Sequence, residues 1–328
     1  MRHYFLRRFL YMVVLLFAVS LFSFILVQLP PGDYLTSHIA RLEETRGTQV
    51  DAAEILALQR EYGLDQPLVL QYVKWVTGML RGDFGRSFAW RVPVAELIRQ
   101  RLGVTLLISI LTMILTYAVA VPIGIFSATH QYSIADYLAT TVGFIGLAMP
   151  NFFLALVLMY YLNRYLGVSV GGLYSPEFLD KPWSWAKFAD LLMHLPIPIV
   201  VIGLSGSASL IRIMRSSLLD ELQKQYVIAG RSKGLSELRL LFRYPVRLAL
   251  NPIVSAVGWV LPGVVSGATV TAITMALPTI GALLYEALLA QDTYVAGGCI
   301  LILSAMTVIG MFISDILLVV VDPRIRFS

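Results

Sequence analysis

The stretch LGVTLLISILTMILTYAVAVPIGIF, residues 102–126, contains no charged side chain. A helix needs about 20 consecutive apolar residues to cross the hydrocarbon of a bilayer, and it satisfies its backbone polar groups internally, as lipid requires. The stretch therefore predicts a membrane-spanning helix. The whole chain agrees, because 58% of its 328 residues are hydrophobic and 14% are charged, against about 25% charged in a soluble domain.

Five further stretches are long and apolar enough to cross, so we predict an all-α integral membrane protein with six transmembrane helices. The predicted spans are residues 9–29, 102–126, 137–166, 194–218, 249–275 and 296–321. The first is too long for a signal-peptide core and no small-x-small cleavage site follows it, so we expect it to be retained. The third contains Pro150, which favours a tilt or a kink.

Lysine and arginine predict the orientation of these spans. They cluster in residues 1–8, 219–248 and 322–328, which six crossings place on one side of the membrane. Because cytoplasmic loops carry an excess of these residues, we expect both termini and residues 219–248 in the cytoplasm, although the loop 127–136 on the same side has none.

The same topology places residues 30–101 outside, between helices 1 and 2, as an external segment. Helical spacing there predicts helices at residues 51–62 and 71–80. Residues 102–321 then form a five-helix transmembrane core that contains the cytoplasmic segment 219–248.

Several classes of protein are disfavoured by the composition. The chain has one cysteine, Cys299, so it builds no disulfide framework or cysteine-based metal site by itself, and no cluster of His, Cys or carboxylates within a span indicates a metal site. The net charge of +5 does not indicate nucleic-acid binding, because no basic stripe with interleaved aromatics occurs on a soluble domain. The GLSG at residues 203–206 resembles the nucleophile motif of rhomboid intramembrane proteases, but His194 lies about 16 Å away along a helix, so we predict no catalytic residue.

Residues 219–248, which we call the elbow, include the basic stretch YVIAGRSKGLSELRLLFRYPVR at 226–247. Residues 218–233 are expected to form a helix that Gly234 ends, because glycine adopts the left-handed cap freely. Ser236 is then expected to cap a second short helix. The predicted apolar face of that helix comprises Leu238, Leu241 and Phe242.

The elbow resembles the cytoplasmic loop of ABC importer permeases, whose pattern is Glu-Ala-Ala, three residues and Gly. Ala229, Gly230 and Gly234 occupy the small positions, while Ile228 stands in place of the Glu. The version YVIAGRSKGLSELRLL is similar to that of the dipeptide, oligopeptide and nickel branch. Further resemblance runs nearly end to end, through RRFLYMVVLLFAVSLFSFILVQLPPGD, EYGLDQPLVLQYVKWVTGMLRGDFGRSF and LPTIGALLYEALLAQD.

The resemblance implies a type I ABC importer permease fold and a multi-pass subunit of the bacterial inner membrane. It implies as partners a second homologous permease, two cytoplasmic ATPase subunits that bind ATP and Mg, and an external solute-binding protein, with membrane lipid around the spans. This chain has no G-x-x-x-x-G-K-[ST] loop, so we expect it to bind no cofactor itself. The elbow would dock on an ATPase subunit. The residues expected to carry that contact are Tyr226, Val227, Ala229, Gly230, Arg231, Lys233, Gly234 and Arg239.

The translocation path is expected at the interface with the second permease. Polar residues in the spans are candidates to line it, because polar groups avoid lipid; they are Asn151, Ser205, Ser207 and Ser209. In the alternative interpretation, the serines bond carbonyls of their own helix and the asparagine packs against a neighbour. The binding protein or the solute is expected to meet Asp83, Glu286 and Asp292, although surface solvation explains acidic residues there equally well.

A self-sufficient secondary carrier or channel is the competing class. Such proteins often have buried ionisable residues in their spans, and here Asp315 is the acidic residue within one, near its cytoplasmic end. For an importer, the expected solute is a peptide, with an oligosaccharide as the alternative and a nickel complex without support from a ligand cluster.

Overall fold

The computed structural model describes residues 2–28, 39, 66–167 and 171–321. Within these ranges the regular structure is helical, apart from one isolated bridge between Arg86 and Pro93. The α-helices are α1 (Arg2–Gln28), α2 (Leu68–Leu80), α3 (Val94–Thr129), α4 (Ile134–Ala148), α5 (Asn151–Leu166), α6 (Trp185–His194), α7 (Pro196–Leu222), α8 (Gln225–Ser232), α9 (Glu237–Arg243), α10 (Pro245–Ser255), α11 (Val257–Thr274), α12 (Ile280–Leu289) and α13 (Thr293–Val321), with a 3₁₀ turn at Pro176–Phe178.

The helices confirm an all-α membrane protein. Four stretches are long and apolar enough to cross a bilayer, namely Leu6–Ile25, Val94–Thr129, Trp185–Leu222 and Thr293–Val319, and α4 with α5 makes a fifth if the bent pair is one span. The predicted span 249–275 is divided between α10 and α11 near Ala256. The count of six spans therefore stays a prediction.

The third predicted span is broken, as its proline leads one to expect. The axes of α4 and α5 differ by 103° across the break. Met149 is extended, with φ −92° and ψ 123°, because a residue before proline is pushed out of the helical region. Pro150 then stands immediately before α5, where its missing N–H interrupts no hydrogen bond.

Within residues 30–101, α2 confirms the helix expected over residues 71–80, whereas the helix expected over 51–62 lies outside the described residues. The 36-residue α3 begins before the predicted span, at Val94.

The chain forms two compact units. The first comprises Met1–Tyr4, Val104–Pro278 and Met306–Ser328. Its core is made of apolar side chains from α3, α7, α10 and α11. Gly124 allows α3 to approach α7 closely, because a Cβ there would lie 2.6 Å from the Met214 Cβ.

The second unit comprises Phe5–Gly103 and Thr279–Ala305. Its core joins α12 to the parts of α3 and α13 that belong to this unit, and Cys299 is fully buried there. The Trp75 ring lies against Gly297, where a Cβ would be 2.8 Å from the ring. The hydroxyls of Ser20 and Tyr72 are 2.8 Å apart, which joins α1 to α2.

Candidate functional site

The elbow consists of two short helices, α8 and α9, between the long helix α7 and the shorter α10. The predicted single helix over 218–233 is wrong in one respect: α7 ends at Leu222, and α8 begins at Gln225 after Lys224 adopts an extended conformation. The chain therefore turns once more than expected before the glycine. Ser236 stands at the N-cap of α9, but its side chain makes no capping hydrogen bond.

Gly234 ends α8 in the left-handed conformation, with φ +77°. Its N–H donates to the Arg231 carbonyl at 2.9 Å, and the Leu235 N–H donates to the Gly230 carbonyl at 3.3 Å. These two bonds form a Schellman motif, which satisfies carbonyls that the end of a helix leaves unpaired. The expected role of Gly234 as a terminator is thus supported by its backbone geometry.

Two of the predicted docking residues serve the packing of the elbow itself. Val227 is fully buried. Gly230 lies against α9, and a Cβ there would be 2.5 Å from the Leu240 Cδ1. Because Leu240 is itself buried, these side chains hold α8 against α9 and are not on the outer surface.

Two further predicted docking residues have partners within the chain. Arg231 donates to both carboxylate oxygens of Glu237, at 2.8 and 3.1 Å, across the Gly234 turn. The hydrogen bonds and charge of Glu237 raise the pKa of Arg231. The Tyr226 hydroxyl donates to Glu221 at 2.6 Å, and burial together with this carboxylate raises the pKa of Tyr226. The two side chains brace the elbow.

The outer surface of the elbow combines cations with exposed apolar side chains. Ala229, Lys233, Gly234 and Arg239 are exposed. The exposed apolar side chains are Ile228 (49% exposed), Leu238 (72%), Phe242 (58%) and Tyr244 (40%). We call this set of four residues the apolar face of the elbow.

The three residues of the predicted apolar face, Leu238, Leu241 and Phe242, differ in exposure, although Leu238 and Leu241 line one cavity. Leu241 is half-buried beside the buried Leu240, whereas Leu238 and Phe242 point outward. Leu238 and Phe242 are spaced i, i+4, and each directly precedes an arginine, Arg239 or Arg243; this pattern is the sequence signal for an outward apolar stripe.

A buried polar cluster at the N-terminal end of α4 was not predicted from the sequence. The Asp136 carboxylate accepts hydrogen bonds from Arg215 of α7, at 3.1 and 3.2 Å, from the Tyr132 N–H at 3.0 Å, and from the Ser127 hydroxyl. The side chain of Asp136 is 5% exposed and that of Arg215 is 30% exposed. The segment 127–136 contains no lysine or arginine, and the guanidinium of Arg215 on α7 pairs with Asp136 at its end.

The elbow and this loop also share a cavity. Its volume is about 320 Å³, and it is lined by Thr129 and His130 at the C-terminal end of α3 and by Val227, Leu238 and Leu241 of the elbow. The elbow is therefore adjacent to the loop that the Asp136 cluster holds against α7.

The predicted path residues do not share one environment. Ser205 and Ser209 are half-buried and lie one turn apart on α7. Ser207 is buried, and its hydroxyl donates to the Gly203 carbonyl at 2.8 Å, so the alternative of a bond to its own helix holds for this serine. Asn151 is half-buried as the first residue of α5, next to the break at Pro150.

The three acidic residues of the predicted delivery site also differ. Asp83 and Glu286 are exposed, whereas Asp292 is fully buried. Asp292 accepts bonds from the Ser87 hydroxyl at 2.6 Å, the Ala89 N–H at 3.0 Å and the Val295 N–H at 3.1 Å. It caps α13 and fixes the loop after α2, a role that its place just before a helix signals in the sequence. In the described part of the chain, no group of His, Cys, Asp and Glu is arranged to hold a metal ion.

Comparison with known proteins gives two family matches. Residues 120–327 match the model for the binding-protein-dependent transport system inner membrane component, and residues 1–109 match the model for the N-terminal part of such membrane components.

Relatives of known sequence match along the whole chain. It is 34% identical to the oligopeptide transport system permease protein AppB of Bacillus subtilis, over all of both chains. It is 30% identical to the dipeptide transport system permease protein DppB of Escherichia coli, over 99% of each. Among solved structures, the MetNI methionine ABC transporter in an inward-facing conformation matches with a TM-score of 0.53 and 16% identity, covering 69% of this chain and 96% of that one. At 16% identity, the similarity to this structure shows a shared fold and nothing about the solute.

Proposed function

The chain belongs to the family of binding-protein-dependent transport system inner membrane components, and from this premise we propose that it imports peptides as one half of a translocation path driven by separate ATPase subunits. Its own role is that of a membrane permease rather than an enzyme. Two ATPase subunits would hydrolyse ATP with Mg, a second homologous permease would complete the path, and an external solute-binding protein would deliver the solute.

The observation that carries the coupling proposal is the surface of the elbow. It presents exposed apolar side chains together with exposed cations, and its two helices are held together by the packing of Gly230 against Leu240 and by the Gly234 turn. A rigid projection with a desolvatable apolar centre and a charged rim has the properties of a protein-docking surface. We therefore assign ATPase contact to Ala229, Lys233, Gly234, Arg239 and the apolar face, with Tyr226, Val227, Gly230 and Arg231 holding the shape.

The proposed path lies on the side of α7 that carries Ser205 and Ser209, with Asn151 at the start of α5. Half-buried hydroxyls one turn apart in an apolar helix are suited to a protein or solute contact rather than to lipid. We leave Ser207 out of the proposed path, because it is buried and its hydroxyl donates to the Gly203 carbonyl. Delivery at the outside is assigned to Asp83 and Glu286, while Asp292 maintains the structure.

The peptide assignment rests on the relatives, since AppB and DppB are named as oligopeptide and dipeptide permeases. In the proposed topology both termini and the elbow are cytoplasmic, residues 30–101 are external, and residues 102–321 form the transmembrane core. An oligosaccharide is the alternative solute.

The proposal is tested by purifying the C-terminally tagged chain from its native host in mild detergent and measuring which proteins accompany it. The variant Leu238→Asp with Phe242→Asp removes the centre of the apolar face. Leu179→Asp is the control, because Leu179 is also an exposed leucine, at 59% against 72% for Leu238, but lies in another segment.

We expect a P-loop ATPase and a second permease to accompany the wild type and the control, and the ATPase to be lost from the double variant. Uptake of a radiolabelled dipeptide by cells should be lost in parallel. If the purified chain alone moves the peptide into vesicles without ATP, the protein is a secondary carrier and the elbow is a membrane-surface loop.

A further inference from the structure

A cleft between α4 and α7 combines an apolar lining with an exposed guanidinium. Its volume is about 220 Å³, and its lining includes Tyr137, Thr140, Phe144 and Arg212. Arg212 lies 5.5 Å from the centre of the Phe144 ring. Among the described residues, no carboxylate pairs with Arg212, whereas its neighbour Arg215 is paired with Asp136. Asp136 and Arg215 also line the cleft, and because they pair with each other, the lining keeps one net positive charge, that of Arg212.

The pairing of the two helices fixes the depth of this cation in the membrane. They run antiparallel, since Asp136 meets Arg215 and Gly143 lies against Ala208. Arg212 is therefore level with residues within about two turns of the start of α4. The 27-residue α7 is about 40 Å long and exceeds the hydrocarbon thickness of about 30 Å. In the proposed topology the C-terminal end of α7 is at the cytoplasmic boundary, so its last turns would reach the headgroup region, where an arginine extends its charge toward water.

The aromatic side chains of the cleft fit the same depth. Tyr132 and Tyr137 line its mouth and are 74% and 60% exposed. Tyrosine is enriched at the level of lipid headgroups because it has an apolar ring and a polar hydroxyl. Gly143 and Leu147 also line the cleft and make that part of its lining apolar. A ligand that fits has an anionic end at Arg212 and a hydrocarbon chain beside Gly143.

We propose that this cleft is a binding site for an anionic phospholipid, with the phosphate on Arg212 and one acyl chain along α4. A basic pocket between helices on the cytoplasmic side is suited to such a headgroup. The site would attach the Arg215–Asp136 cluster, and hence the loop beside the elbow, to the inner leaflet. The proposal rests on the proposed topology, which places this end of α7 on the cytoplasmic side, and it does not depend on which solute the protein carries.

The test is lipid binding to the full-length chain in detergent, followed by native mass spectrometry during titration with phosphatidylglycerol or phosphatidylcholine. Phosphatidylglycerol should bind more tightly, and Arg212→Gln should weaken its binding roughly fivefold, as expected for the loss of one cation near a membrane surface. Arg164→Gln is the matched control, because it removes an exposed arginine in the last turn of α5. It should leave the affinity unchanged.

A second variant keeps the charge and fills the space. Thr140→Trp places a large ring in the cleft from an exposed position, and we expect it to abolish the preference for phosphatidylglycerol without lowering the unfolding temperature. Equal binding of the two lipids, or wild-type affinity in Arg212→Gln, would overturn the proposal. So would displacement of phosphatidylglycerol by an equal concentration of inorganic phosphate, which would show an anion site without a lipid preference.

Discussion

At the scale of the residue, side chains of the same or a similar type occupy different structural environments. Gly230 is required by packing, because Leu240 occupies the space of a Cβ, whereas Gly234 has open space but a φ of +77°. Asp292 and Glu286 were predicted together, but one is fully buried with three donors and the other is exposed. Such differences decide which substitution changes the fold and which changes the surface.

Gly234→Asn is expected to leave the elbow folded and to reduce ATP-driven uptake. Asparagine tolerates the left-handed conformation, and a Cβ at Gly234 meets nothing within 4 Å in this chain, so any steric conflict must come from a docked partner. Gly82→Asn is the control, since Gly82 has φ +80° and the same open space but lies far from the elbow in the sequence. Both unfolding temperature and peptide uptake are measured.

Normal uptake by Gly234→Asn would contradict close docking at this glycine. An equal loss of uptake in Gly82→Asn would mean that backbone strain, rather than contact with an ATPase, causes the defect.

Asp292→Ala is expected to lower the free energy of unfolding by about 3 kcal/mol, because it leaves buried donors without an acceptor. Glu286→Ala should change it by less than about 0.5 kcal/mol, as for an ordinary surface position. Thermal unfolding in detergent distinguishes the two. Wild-type stability in Asp292→Ala would show that its carboxylate is not structural.

At the scale of the element, the elbow is connected to α7 by more than the chain itself. The elbow shares a cavity with the loop after α3, and that loop is held by Asp136 and Arg215 against α7. These contacts could transmit a movement of the elbow to α7 through the loop after α3, in addition to the direct connection at the C-terminal end of α7. The break at Pro150 separates α4 from α5, so α4 is free to follow α7 as a short helix.

A double-mutant cycle measures this connection. Asp136→Ala and Arg215→Ala should each destabilise the protein, and the double variant should be less destabilised than their sum by about 1–2 kcal/mol. The partial exposure of Arg215, at 30%, reduces the coupling through solvent screening. The exposed Arg231–Glu237 pair is the control and should show little coupling. Additive effects at Asp136 and Arg215 would show that the ion pair does not join the two elements.

At the scale of the whole molecule, the proposed function requires a defined orientation in the membrane. Charge distribution favours a cytoplasmic elbow, and the exposed aromatic residues Trp183 and Trp185 near α6 are of the kind found at a membrane surface. The family match shows that the chain is a membrane component. Its orientation in the membrane is a separate prediction.

Accessibility labelling tests the orientation. The single native cysteine, Cys299, is buried, so a cysteine introduced at an exposed position dominates the signal. Glu177→Cys should react with a membrane-impermeant maleimide in cells whose outer barrier is opened, whereas Lys233→Cys should react only after the inner membrane is permeabilised. The opposite pattern would reverse the topology and remove the elbow from the ATPase side.

Much of the fold was readable from the sequence because lipid imposes a simple condition. Residues 9–29, 102–126 and 296–321 are apolar for the length of a bilayer, and each lies largely within a helix. The Pro150 break and the Gly234 turn follow from single residues with restricted or unusual backbone preferences. The boundary at Lys224 has no glycine or proline to mark it, whereas the division of 249–275 near Ala256 falls in a stretch with two prolines, Pro252 and Pro262, whose signal the prediction did not use.

The candidate site was less readable. Its location in 219–248 followed from basic residues and a glycine, but Val227 and Gly230 turned inward while Leu238 and Phe242 turned outward. On a short helix between two others, the hydrophobic pattern fits more than one rotation, and only contacts with neighbouring helices select one.

By itself the sequence determined that this protein lies in a membrane, that its spans are helices and that a basic elbow projects from them, because these properties depend on local composition and on backbone chemistry. The tertiary structure alone decided that Asp292 is buried, that Asp136 binds Arg215 and that Arg212 lines the same cleft without an ion-pair partner among the described residues. Burial and charge pairing depend on residues far apart in the chain, and only packing brings them together.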